Sequence, residues 1–201
     1  MATDTRGAVA GNAYAVGGLL WFVVGAVGAT IWGLEAPAGS AGFYLSETVF
    51  LVAQLLLCFG LFGLRWSGAL ARGLFGTIAF GVAVLGHIAF VAAELHSLVL
   101  GSLSDLLAIA ALFSAIGLVL TGIAVLRAQR WQGWARWMPL VTGLYFWLAM
   151  FPFILVADGP NGFAIAGWGL VRCLLGLAIR SQAAAPASAS EAVGGLPRRS
   201  V

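Results

Sequence analysis

Apolar residues run through this chain in long stretches, and polar positions interrupt them at short intervals. A helix crossing a bilayer needs roughly 20 predominantly apolar residues. Six stretches have that character: about 12–34, 44–64, 73–97, 105–126, 137–156 and 161–179. The turns between them ("EAPAGSAGF", "RWSGALAR", "LVLGSLS", "RAQRWQGWAR" and "ADGP") are short, so consecutive helices must run antiparallel. The predicted fold is an all-α membrane protein, a six-helix transmembrane bundle with short loops. The alternating segments of a membrane β-barrel are missing from the pattern. Residues 1–11 read as a short head and 12–180 as the membrane domain. Residues 181–201, "SQAAAPASASEAVGGLPRRSV", have no apolar periodicity and are expected to be a disordered tail. Ser104 before Asp105, and Pro160 before the last stretch, fit helix starts. Pro152 inside "MFPFIL" predicts a kink in the fifth helix.

Charge adds a direction. Only 8% of the chain is charged and 62% is hydrophobic, far from a soluble composition. Every basic residue is an arginine, which with the abundant alanine and glycine suits a GC-rich bacterial genome. Arg6 lies in the head, Arg65 and Arg72 in the second connection, and Arg127, Arg130 and Arg136 in the fourth. Arg180, Arg198 and Arg199 lie in the tail, while the first, third and fifth connections hold no arginine. By the positive-inside rule this places both termini in the cytoplasm of a bacterial inner membrane. Glu35, Glu47, Glu94, Asp105 and Asp158 fall toward the opposite surface. The first stretch is longer than a secretory signal core, although "APAGSA" leaves a cleaved form as a second reading. Cys58 and Cys173 sit inside apolar stretches with no metal or redox spacing and read as packing residues. "GLFGLRWSGALAR" and "GIAVLRAQRWQGWAR" echo one another, either by duplication or because every cytoplasmic turn favours arginine.

The cluster in "GHIAFVAAELHSL" needs a reason in so apolar a chain. Rising ~1.5 Å per residue from Gly73, His87 lies ~21 Å up a core ~30 Å thick, and Glu94 and His96 reach its edge. Glu94 shares a face with His87, whereas His96 points the opposite way, so the two histidines cannot ligate one metal. The second helix carries Glu47 and Gln54 at the same seven-residue spacing. In an antiparallel hairpin, residues at equal height have position numbers with a constant sum. Glu47 with Glu94 and Gln54 with His87 give the same sum, centring the hairpin on its arginine turn. A polar seam follows as an expectation, with Gln54 bonded to His87 and the two glutamates face to face. Two readings stay open: interhelical glue, or a path for a proton or cation.

Arg172 is the one arginine away from the rim, and its face of the sixth helix is glycine-lined by Gly169 and Gly176. It should point into the bundle toward backbone carbonyls, Gln54, water or a bound anionic group. Phe163, Leu170, Leu174 and Leu177 form the greasier face. Arg127, Arg130, Trp131, Trp134, Arg136 and Trp137 read as an interfacial anchor able to hold anionic lipids. No Schiff-base lysine, phosphate loop, HExxH or G-x-S-x-G motif is present, so neither cofactor nor catalysis is expected. The expected role is a non-enzymatic membrane bundle, either a subunit or a lipid-interacting protein. The alternative is a small transporter or a proton/cation path along the seam. Expected partners are the lipid bilayer, anionic lipids, and a membrane protein or second copy of the chain, with no nucleic acid.

Overall fold

The computed structural model describes residues 5–32, 36–71, 73–156 and 161–184. Among them all regular structure is helical, in six helices long and apolar enough to cross a membrane. These are α1 (Thr5–Ile31), α2 (Ala41–Trp66), α3 (Leu74–Leu100), α4 (Leu106–Ala128), α5 (Gly133–Val156) and α6 (Gly162–Ala184). Local chemistry sets their ends. Ser40 caps α2 by accepting from the Phe43 N–H at 3.1 Å. Asn161 caps α6 through the Phe163 and Ala164 N–H groups at 3.0 and 3.2 Å. Gly101 closes α3 in the left-handed conformation, φ 69°, which a side chain would disfavour.

Each helix packs against the next in chain order, and α6 closes on α1, so the six form a ring. Glycine brings four of the six junctions into backbone contact. Along α1–α6, Gly11 faces Arg180, Gly18 faces Cys173 and Gly25 faces Ala166, an antiparallel register repeating every seven residues. A Cβ on Gly11 would stand 2.6 Å from the Arg180 nitrogen. Gly60 meets Tyr14 across α1–α2, Gly86 meets Ser114 across α3–α4, and Gly143 meets Val119 across α4–α5. Small residues are what allow helices to approach closely where lipid supplies no hydrophobic drive. The α2–α3 and α5–α6 junctions have no glycine against a partner's backbone among the described residues.

The radial distribution is inverted relative to a soluble protein. Val9, Val16, Val23, Leu85, Leu148 and Leu170 are exposed, while Glu47, Gln54, His87, Glu94, Ser114, Thr121, Thr142 and Arg172 are buried. Burying these polar groups of the spans while exposing aliphatic side chains suits a lipid solvent. The antiparallel order gathers Arg6, Arg65, Arg127, Arg130, Arg136 and Arg180 at one end, the arginine end.

Three sequence expectations change. Residues 5–11 are the first turns of α1 rather than a separate head, pinned where Gly11 abuts α6. Residues 181–184 continue α6 rather than beginning a tail, and Gln182 Oε1 accepts the Gln132 N–H at 3.2 Å. Residues 185–201, with Glu35, Arg72, Asp158 and Pro160, lie outside the described residues. In α5 the kink expected at Pro152 takes the form of a π turn over Phe146–Met150, immediately before it. Proline lacks an N–H and crowds the carbonyl four residues back. Widening the preceding turn relieves that conflict, and Phe151 N–H bonds Phe146 O instead.

Candidate functional site

Away from the arginine end the ring encloses a cavity of about 490 Å³. Every helix contributes to its wall: Trp21 from α1, Phe50 from α2, Phe90 from α3, Leu112 from α4, Phe146 from α5 and Trp168 from α6. The cavity is therefore the lumen of the ring, with Leu103, Ser104 and Asp105 at its mouth. The π turn of α5 presents Phe146 and Met150 to it. The aromatic rings interlock: Trp21 lies 4.9 Å from Phe50 and 5.6 Å from Phe90, and Phe146 lies 5.7 Å from Trp168, centroid to centroid. Trp168 is held in place by its Nε1–H, which donates to the Thr142 carbonyl at 3.0 Å.

Glu47 and Glu94 stand on this wall. Each is only 3% exposed, and their carboxyls hydrogen-bond one another. Glu94 was expected near the outer edge on the face it shares with His87, opposite Glu47, and the two do meet there. The helix α3 continues to Leu100 and turns this side chain inward. Two carboxylates have no donor between them, so a carboxyl–carboxyl bond requires a shared proton. With one shared proton the pair carries one negative charge. Glu47 Oε2 and Glu94 Oε2 remain without a hydrogen-bond partner among the described residues.

Gln54 and His87 meet one step deeper, but not ring to amide. Gln54 Nε2 donates to the backbone carbonyl of His87 at 3.4 Å. The imidazole turns along its own helix, with Nδ1 2.9 Å from the Ala83 carbonyl and 3.4 Å from Ser114 Oγ. A carbonyl can only accept, so Nδ1 bears the hydrogen and the buried Nε2 holds a lone pair without a partner. Gln54 Oε1 and the Tyr14 hydroxyl are likewise buried and without a hydrogen-bond partner among the described residues, and the Tyr14 ring lies 6.3 Å from the imidazole.

Arg172 is fully buried and points into the ring, while Phe163, Leu170, Leu174 and Leu177 face outward. The carbonyl and Gln54 partners expected for it are absent, since none of its three nitrogens has a hydrogen-bond partner among the described residues. Aromatic faces take their place. The guanidinium carbon lies 3.7 Å from the Trp168 ring centre, 4.6 Å from Trp21 and 5.6 Å from Phe90. A desolvated cation over an indole gains ~2 kcal/mol or more, and the delocalised guanidinium is the cation best suited to stack. It is also within Coulombic range of Glu94, Tyr14 and His87. The acid pair and Arg172 together form a buried site of net charge zero. Arg172 itself does not line the lumen, because the rings of Trp21, Phe90 and Trp168 stand between.

The expected anchor divides. Trp134 and Trp137 are exposed, as are Arg127 and Arg130. Arg127 lies over Phe75 and Arg136 over Trp137, each 5.4 Å from the ring centre. Trp131, however, is 2% exposed and belongs to the core. The chain reverses at Gly133, φ 61°, into a 3-10 turn, and this folds Trp131 inward. His96 stands apart from His87 and binds Ser104 Oγ at 2.8 Å. Among the described residues no group of three or more His, Cys, Asp or Glu could hold a metal ion.

Sequence reasoning missed the aromatic lumen. A signal existed: membrane tryptophans favour the interface, yet Trp21 and Trp168 lie well inside α1 and α6. Compared with known protein families, with curated proteins and with solved structures, the chain matches none.

Proposed function

We propose that this chain is a non-enzymatic protein of the bacterial inner membrane, with both termini cytoplasmic, that binds a membrane-dissolved small molecule in its lumen. The arginine end supports the orientation through the positive-inside rule, which places the mouth at Ser104 and Asp105 on the periplasmic side. One observation carries the binding role: a cavity of about 490 Å³ walled by all six helices, mostly apolar with a few convergent polar groups. Ligand sites of ~300–1,000 Å³ have this character. Residues at the arginine end suit lipid contact, with Trp134, Trp137, Arg127 and Arg130 exposed for anionic head groups.

Native mass spectrometry of the detergent-extracted protein tests this reading. A small molecule should travel with the wild type and be lost in Ala111→Trp, which fills the lumen from α4. Identical spectra for the two proteins would count against it.

A transport role is the second reading, favoured by the polar groups that continue from the acid pair to Gln54 and His87. Cysteines placed at 47 and 54, in a background lacking Cys58 and Cys173, should then react with an impermeant thiol reagent added from the periplasmic side. Protection of both positions removes the support for transport.

A further inference from the structure

The polar chemistry of the lumen is one-sided. Every ionisable residue lining it is an acid: Glu47 and Glu94 on the wall and Asp105 at the mouth. The only arginine buried in the ring among the described residues, Arg172, is screened from the lumen by three aromatic rings. Two carboxyl oxygens, Glu47 Oε2 and Glu94 Oε2, are buried on the lumen wall without a partner. Beside them lie aromatic faces that Arg172 does not use, among them Phe50 and Phe146. Acids with free acceptor positions and aromatic faces together recognise a cation. A bare metal ion wants six or more oxygens, which this apolar wall does not offer. An organic cation with an apolar body fits both the charge and the lining.

Charge accounting extends the argument. With Arg172 positive and the acid pair holding one proton, the buried site is neutral. Admitting a monocation would leave one uncompensated positive charge in a low-dielectric interior, which is costly. Releasing the shared proton restores neutrality, since Glu47 and Glu94 are then both ionised and face one fixed and one bound cation.

We propose that the lumen takes a lipophilic organic monocation and exchanges it one for one against the proton held between Glu47 and Glu94, with Arg172 as the fixed counter-charge. This rests on the lumen being a ligand site. The proton leaves past Asp105 to the aqueous phase at the mouth, and no covalent bond changes. Arg172 from α6 bears on the pair, Tyr14 from α1 and His87 from α3 bear on Arg172, and Asp105 at the start of α4 lines the same lumen. The α5 wall adds no charged residue to the lumen.

Calorimetry on the purified full chain tests the proposal with two ions of the same shape and opposite charge, tetraphenylphosphonium and tetraphenylborate. Measurements at neutral pH in buffers of different ionisation heat count the protons released. The expected result is phosphonium binding at least about tenfold tighter than borate, with one proton released per cation. Its affinity should rise about tenfold per pH unit while the pair holds its proton. Glu94→Gln, or Glu47→Gln if the first variant misfolds, should release no proton and bind the phosphonium about tenfold or more weakly. Borate binding as tight as phosphonium overturns the cation class, and phosphonium binding with no proton released overturns the exchange. If neutral triphenylphosphine oxide binds and neither ion does, the inference fails while the lumen reading survives. If no probe binds and Ala111→Trp changes nothing, both fail.

Discussion

The glycine contacts of the ring allow a graded test, because the space around each glycine differs. In a helix, Gly→Ala gains up to ~1 kcal/mol from backbone entropy, whereas forcing a methyl into a packed interface costs ~1–3 kcal/mol. At Gly81 on α3 a Cβ would meet nothing within 4 Å, so only the gain remains. Gly81→Ala should stabilise by roughly 0.5–1 kcal/mol. At Gly25 the nearest atom is the Ala166 Cα at 3.1 Å, a contact relieved by a few tenths of an ångström. Cost and gain then nearly cancel. At Gly11 the nearest atom is the Arg180 backbone nitrogen at 2.6 Å, and at Gly18 a Cβ would lie closer still to the backbone of Cys173. Backbone cannot swing aside, so Gly11→Ala should cost about 1–2 kcal/mol and Gly18→Ala about 2–3 kcal/mol. Thermal unfolding of the four variants in one detergent, followed by circular dichroism, reads these out at ~2–4 °C per kcal/mol for a chain of this size. The expected order of Tm is Gly81→Ala highest, then Gly25→Ala, Gly11→Ala and Gly18→Ala. A Gly18→Ala protein as stable as Gly25→Ala would refute the close α1–α6 contact on which the ring's closure depends.

Other outcomes follow from single sites. Trp131→Ala should cost ~3–5 kcal/mol as a core truncation, and Trp134→Ala, 54% exposed, under about 1 kcal/mol in detergent; equal melting temperatures would return Trp131 to the interface. Arg172→Met leaves the acid pair's charge without a counter-charge and should cost ~3–5 kcal/mol. Adding Glu47→Gln and Glu94→Gln together removes the pair's charge and should recover most of that loss, and a triple variant no more stable than the single would break the charge coupling between the pair and α6. A reporter fused after residue 201 that is active only in the cytoplasm should be active here, and a periplasmic signal would invert the map.

What was legible in the sequence follows from where polar residues sit. Glu47, Gln54, His87 and Glu94 stand out in apolar helices, so their spacing alone fixed the register that brings α2 and α3 together. The outward face of α6 was legible for the same reason, with Arg172 marking the opposite side. Apolar residues carry no such mark in a membrane chain, because lipid-facing and core-facing positions are equally hydrophobic. Nothing in the hydropathy of α1 separates buried Ala15 from exposed Val16. The partners of Arg172 escaped because its cage is assembled from α1, α3 and α6, and no single segment contains it.

The uneven distribution of glycine contacts has a mechanical consequence. Backbone-to-backbone sutures weld α6, α1 and α2 into one slab, and α3, α4 and α5 into another. The two slabs adjoin along α2–α3 and α5–α6, where side chains do the joining: carboxyls and an amide on one edge, Tyr145 against Gly167 on the other. Strain applied to the molecule will be relieved at those two edges first. One of them carries the Glu47–Glu94 pair, so its stiffness is tied to how that pair is protonated.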